Sequence, residues 1–366
     1  MGTSTNTQRI IYATQAVGIG SGGLAITNGA SIPAEGKTFS WLHGVQTVGL
    51  NTTFNSEQLF ELGQLQVYQY VDELPNIEVS IERVIDSWKL AYLQAVGQAG
   101  TGNVLEAGKS KTDAVFLIYD DTFTAASGAS PLSVVHCKDM FVSNVSYTLG
   151  VDGNFSESLT LSGFDRKWYS SSSTINTPFQ SIESSSPDLP YGGSGGKQVL
   201  RRNHYIPASS RIPSSVSGRL RGGTGNLQTI TISADFGRED NLELGRFDPY
   251  TRFLTVPLES TCEFAVHSLS GNWVDASGSA PRSADSSQFK EQIIIHIASD
   301  GSGGGASGWA RFDLGSGCRL TSVNYGGGDA TGGNATDTYS YSSFNYFRVS
   351  DAWSAADQYH TYKYST

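Results

Sequence analysis

Two glutamates four residues apart, Glu57 and Glu61, recur as Glu239 and Glu243, and paired carboxylates are common equipment for acid–base chemistry. On a short helix that spacing puts both acids on one face, where they repel and call for Arg or Lys partners. A catalytic centre seldom needs the same pair twice in one chain, whereas an interface does, so both pairs are read as assembly or capping residues. The pattern Gly18-x-Gly20-x-x-Gly23 resembles a dinucleotide fingerprint, but Asn28-Gly29 and Pro33 break the helix that would have to follow it. It is read as part of a flexible arm. Gly192-x-Ser194-x-Gly196 spells a nucleophile elbow without a strand before it or a helix after it. Gly301–Gly305 and Gly326–Gly328 lack the Lys-Ser or Lys-Thr of a phosphate cradle and are read as loops.

The six histidines, His43, His136, His204, His267, His296 and His360, are dispersed, with no local pair at metal-ligand spacing. His296, inside the run Ile293 to Ile297, is expected to face solvent from a strand. Cys137, Cys262 and Cys318 are an odd, scattered set that fits neither a disulfide framework nor a metal site, and they are read as small buried hydrophobes. No catalytic residue, metal or cofactor is assigned, and no enzymatic activity is expected.

The elements that must carry these residues are mostly strands. The 366 residues include 42 Gly, 17 Tyr and 17 Phe but only 16% charged residues, a composition that leans to sheet and loop. A net charge of -10 argues against a protein that grips nucleic acid, though an acidic wall repels DNA usefully. No run of 18 apolar residues occurs and no signal-like N-terminus is present, so a soluble protein folded where it is synthesised is expected, with no membrane partner. Asn144 and Asn334 head glycosylation-type triplets that mean little without a secretion signal.

Sliding the sequence on itself by 182 residues aligns Val45 to Pro75 with Leu227 to Pro257 without a gap. Nine of 31 positions are identical, including Phe54 with Phe236, Glu57 with Glu239, Glu61 with Glu243, Gly63 with Gly245, Tyr68 with Tyr250 and Pro75 with Pro257. Chance gives about two. A weaker match at a shift of 180 sets Gly153 to Thr160 against Gly333 to Ser340 and continues to Phe164 and Phe344. The expected organisation is an N-terminal arm over 1–34, a first β domain over 35–169, a Ser/Gly/Pro-rich linker or long surface loop over 170–217, a second β domain over 218–350 and a C-terminal tail over 351–366.

Within the first copy, the spacing predicts a strand from Val45 and one or two helical turns over Glu57 to Leu62, closed by Gly63, which tolerates a positive φ. Ile77, Val79 and Ile81 alternate as a half-buried strand. Further strands are expected at Val115 to Tyr119, Met140 to Leu149, Ser158 to Leu161 and Ile293 to Ile297. Asp152-Gly153 marks a hairpin between two of them.

Phe54 to Gly63 and Val151 to Leu161 resemble stretches of bacteriophage tail tube and related virion proteins. That resemblance implies a mainly β fold, two tandem tail-tube-like β-sandwich or barrel domains, each with a short helix and long Gly/Ser-rich loops. It implies a virion structural protein that stacks as rings, with sheets joined between neighbours around a channel for DNA. Two domains per chain would close as a homotrimer with pseudo-sixfold symmetry, which also removes exposed sheet edges. The implied partners are further copies of the chain, other phage tail proteins and double-stranded DNA in transient passage. The implied location is the virion tail, with assembly in the host cytoplasm. Phe54, Glu57, Glu61, Gly63, Tyr68, Pro75, Phe236, Glu239, Glu243, Gly245, Tyr250 and Pro257 are the candidate assembly residues. Competing readings are a carbohydrate-binding adhesin, a capsid decoration protein and a β-sandwich hydrolase. The six Trp do not recur between the copies, which weakens a duplicated sugar site.

Overall fold

Alternating branched and polar side chains make strands that bury one face, and Asn76–Val84 does this residue by residue, with Ile77, Val79 and Ile81 inside. A computed structural model of the chain describes residues 10, 15–21, 39–86, 89–96, 108–119, 132–169, 199–207, 210–213, 216, 226–267, 291–298, 307–308, 310–327, 333–350 and 353–354. In chain order the first elements are β1 (Gln15–Ser21), β2 (Phe39–Trp41), β3 (Val45–Thr53), β4 (Ser56–Phe60), β5 (Val67–Asp72) and β6 (Asn76–Val84). The helix α1 (Ala91–Val96) follows, then β7 (Thr112–Ile118), β8 (Ser133–Gly150), β9 (Ser156–Gly163) and β10 (Asp165–Tyr169). The second half contains β11 (Leu227–Asp235), β12 (Arg238–Asn241), β13 (Thr251–Leu254), β14 (Glu259–His267) and β15 (Glu291–Ile297). It continues with β16 (Ser307–Gly308), β17 (Ala310–Gly326), β18 (Thr336–Phe344), β19 (Arg348–Ser350) and β20 (Trp353–Ser354). The fold is mainly β.

Fourteen strands form one sheet, and its antiparallel pairings recur. In the first half β3 pairs β6, β6 pairs β9, and β9 pairs β8, which also pairs β7 and β10. In the second half β11 pairs β14, β14 pairs β18, and β18 pairs β17, which also pairs β15 and β19. Even the irregularities recur: β3 and β11 each bulge at their start, between Val45 and Thr47 and between Leu227 and Thr229. The halves are joined by β11 lying antiparallel along β8, from Thr229 opposite Gly150 to Asp235 opposite Asn144. The expected hairpin at Asp152-Gly153 connects β8 to β9, and Gly153 there has a φ of 98°.

Behind the sheet, α1 is held by buried charge. The Ala91 and Tyr92 amides donate to Glu157 at 2.9 and 3.0 Å, and the Tyr147 hydroxyl donates to the same carboxylate at 3.1 Å. Arg83, with a fully buried side chain, lies 3.7 Å from Glu157, donates to Asp86 at 2.9 Å and to the Lys89 carbonyl at 3.0 Å. The carboxylate thus satisfies the helix's first amides and offsets the guanidinium charge. All three cysteines are free and buried, as read from their scatter. Burial pushes the Cys137 thiol up to about 12 and the Cys318 thiol up to about 11, and it raises Cys262 well above its ordinary value.

Four sequence expectations change. Glu57 to Leu62 is not helical: Ser56–Phe60 is a strand paired with β5, because Val67, Tyr68, Tyr70 and Val71 supply a β-favouring partner that local i, i+4 spacing does not reveal. His296 is buried, because β15 lies between β17 on one edge and Tyr205 and Arg211 on the other. Gln15–Ser21, inside the segment read as an arm, is a strand along β7, and Leu200 and Val216, inside the segment read as linker, are buried in the core. Gly23, the elbow-like Gly192 to Gly196, Gly301–Gly305 and His360 lie outside the described residues. Among the described residues, no helix is long and apolar enough to cross a membrane.

Candidate assembly surface

Each half projects a two-stranded arm, β4 with β5 and β12 with β13, in the same register once offset by 182. Gly63 and Gly245 shape the two tips with φ of 92° and 91°, and open space around both makes φ, not room, the reason for glycine. The arms expose Leu59, Phe60, Leu62, Leu65, Tyr68, Tyr70 and Val71 in one case and Leu242, Leu244, Phe247, Tyr250, Phe253 and Val256 in the other. Both arms thus hold a dense set of large apolar side chains exposed to solvent, which is unusual for the surface of a single chain. Glu57 and Glu239 lie opposite Val71 and Phe253. Glu61 accepts from Gln64 at 3.1 Å and Glu243 from Arg246 at 3.4 Å, so the acids stabilise the arm tips locally. Half-buried Pro75 and exposed Pro257 stand where the arms return to β6 and β14.

The candidate residues therefore gather on two arms and their roots, with one asymmetry. Phe54 is 77% exposed, whereas its counterpart Phe236 is 1% exposed, stacked on Tyr92 of α1 at 5.9 Å with its amide donating to the Ser143 carbonyl at 2.8 Å. The second arm is also rooted in the first half. Arg238 donates from Nε to the Val142 carbonyl at 3.0 Å and also to the Gly108 carbonyl, and it covers the Phe141 ring. Burial lowers the Arg238 pKa to about 10, with the Arg252 charge adding to the effect. Arg252 donates to Asp240 at 3.1 Å and lies 5.2 Å above the Phe164 ring.

No family model matches the chain, and no curated protein matches it. Solved structures do. A chain of an anti-feeding prophage baseplate superposes with a TM-score of 0.30 at 12% identity, over 44% of this chain and 97% of its own. A chain of the cap that terminates the anti-feeding prophage tube gives 0.30 at 11% identity, over 47% and 100%. A chain of the PVC sheath-tube complex, an extracellular contractile injection system, gives 0.30 at 11% identity, over 47% and 99%. These structural neighbours are parts of phage-tail-like injection assemblies.

Sequence reasoning missed the uncovered face of the large sheet. Thr47, Gly49, Asn51 and Thr53 of β3 lie beside Glu82, Ser80, Glu78 and Asn76 of β6, which lie beside the hydroxyls of Ser158, Thr160 and Ser162. Across the β8–β11 joint the same face continues through Asn144, Ser146 and Thr148 to Asp235, Ser233 and Thr231, then to Glu259, Thr261 and Glu263. None of these residues is Lys or Arg, and none is buried. Hydroxyls link along it, Ser233 with Thr261 at 2.6 Å and Ser340 donating to Glu263 at 3.1 Å. The polar members of each period-2 pattern were visible in the sequence; their convergence on one surface required the register. Among the described residues no cluster of His, Cys, Asp or Glu could hold a metal ion.

Proposed function

We propose that the chain is a non-enzymatic structural subunit of a phage-tail-like tube, built as two tandem tube-type domains. Three copies close a ring with pseudo-sixfold symmetry, and rings stack to enclose a channel through which double-stranded DNA passes. The observation that carries this reading is the broad sheet with an apolar core on one face and hydroxyls, amides and carboxylates on the other. Turned inward, the stretch of that face from β3 to β14 lines a channel with carboxylates that repel phosphates, and none of the residues named on it is Lys or Arg, so a polyanion slides without sticking; Arg319, exposed opposite Ser342, is the cation at its β17 end. The paired arms supply apolar contacts for adjoining rings, and the recurring strand order supplies the repeat. Such a particle resides in the virion tail, has other tail proteins at its ends and needs no cofactor.

Electron microscopy of the purified chain tests the proposal. Rings or tubes with threefold true symmetry and an axial pore are expected. A monodisperse monomer at every concentration, or solid particles without a pore, refutes it.

A further inference from the structure

The β8–β11 joint inside the chain is a template for a joint between chains. Residues of β3, β6, β9 and β8 correspond to those of β11, β14, β18 and β17 at offsets of 182, 183, 180 and 178, and these offsets carry every partner of one half onto a partner in the other. The bulge of β8 between Val142 and Asn144 falls on that of β17 between Leu320 and Ser322. Under this correspondence one joint is filled and two edges are left over. β8 has β9 on one edge of Asn144–Thr148 and β11 on the other. β17 has β18 along Ser322–Gly326, and among the described residues no strand occupies the opposite edge. β11 lies between β14 and β8, whereas among the described residues β3 pairs only with β6.

Burial follows the same division. Ile230 and Ile232, inside the joint, are buried, while their counterparts Val48 and Leu50 are half-buried. Tyr147 is fully buried against Phe312 at 4.5 Å, while its counterpart Tyr325 is 43% exposed. Phe236 is packed and Phe54 is not. The large apolar residues Ile230, Ile232, Tyr147 and Phe236 thus have Val48, Leu50, Tyr325 and Phe54 as less covered counterparts, while Leu149 and Ala234 meet smaller or polar ones, Gly327 and Thr52.

We propose, on the ring reading above, that β3 of one copy pairs antiparallel with β17 of the next in the register the internal joint sets. Thr53 lies opposite Ser322, Thr52 opposite Val323, Asn51 opposite Asn324, Leu50 opposite Tyr325, Gly49 opposite Gly326 and Val48 opposite Gly327. Phe54 then enters the neighbour's second half as Phe236 enters the first. Where Arg252 covers Phe164, the new joint places Tyr70 against Phe344, both exposed in the single chain. The contact is heterologous, so it builds a head-to-tail series rather than a twofold dimer, and on the ring reading that series closes at three copies.

The test is oxidative cross-linking of the full chain with N51C and N324C together, both solvent-exposed, in parallel with N51C and S322C; the three native thiols are buried. The matched pair is expected to give a covalent ladder ending at three copies. The displaced pair should give about ten-fold less, because diagonal Cβ atoms some 7 Å apart exceed disulfide reach. Equal or preferential linkage of the displaced pair overturns the register while leaving rings intact. A matched-pair ladder running past three copies keeps the register and removes the three-copy ring. No linkage of either pair in a chain that stays monomeric overturns both.

Discussion

Phe54 and Phe236 occupy the same place in the repeat, so alanine at each separates the energy of folding from that of assembly. Phe236 is 1% exposed, stacks on Tyr92 at 5.9 Å and meets Phe347 edge-on at 6.3 Å. Removing its ring leaves a cavity among large side chains that cannot collapse into it, and F236A is expected to lower the unfolding free energy by about 3–5 kcal/mol. Phe54 is 77% exposed in the single chain and touches little, so F54A should change monomer stability by no more than about 0.5 kcal/mol. If Phe54 is buried only when a neighbour arrives, its loss removes about 1.5–3 kcal/mol from each intermolecular joint. That weakens each joint by about ten- to a hundred-fold. Urea unfolding of dilute, monomeric chain reads the first quantity, and sedimentation velocity across a concentration series reads the second. An F54A chain that assembles like the parent, or that unfolds as easily as F236A, refutes the reasoning.

E157Q should destabilise the chain by about 2–4 kcal/mol in urea unfolding, because the Gln NH2 replaces one of the two oxygens that accept from the Ala91 and Tyr92 amides, leaving one amide facing a donor, and Arg83 loses half its compensation. A loss below about 1 kcal/mol counts against a structural role for this buried carboxylate. The three thiols should be inert to a disulfide reagent in native chain at pH 8 and all react once it is unfolded. Raised thiol pKa values favour the folded state fully below an unfolded value near 9 and lose that contribution as pH climbs to about 11 for Cys318 and about 12 for Cys137. Stability in reductant should therefore fall by about 1.4 kcal/mol per pH unit per thiol above pH 9, and a flat profile contradicts the burial. Replacing Glu78, Glu82 and Glu263 by Lys should convert a chain with no affinity for duplex DNA into one whose retention on a DNA column weakens steeply with salt. Retention of the parent chain at low salt contradicts the proposed lumen.

The sequence carried the strand-rich class, the alternation of β6 and the turn at Asp152-Gly153, because each is a local signal spread over a few residues. The misreading of Glu57 to Leu62 has the opposite origin. Its strand character comes from pairing with Val67 to Asp72, and an i, i+4 pair of acids looks helical when the partner is ignored. His296 and the segments around β1 and Leu200 were misread because their burial depends on contacts across large sequence separations, such as Arg211 with Ile294. Glu157 attracted no notice for the same reason: the amides it accepts from are 65 and 66 residues away. Of the candidate residues, the two arms were legible through their repetition, while the difference between Phe54 and Phe236 was not, since identical residues cannot announce which copy is covered.

The covalent link through β8 and β11 changes how a ring would grow. A sixfold ring of separate domains must form six joints by encounter, whereas here every second joint is tied within one polypeptide, where effective concentrations reach the millimolar range. Only three joints between chains remain, formed by two collisions and one closure, and the nucleus shrinks accordingly. The tether also frees the two modules to diverge, so the rim of such a ring alternates between two kinds of arm, and whatever caps it meets a surface that repeats every 120° rather than every 60°.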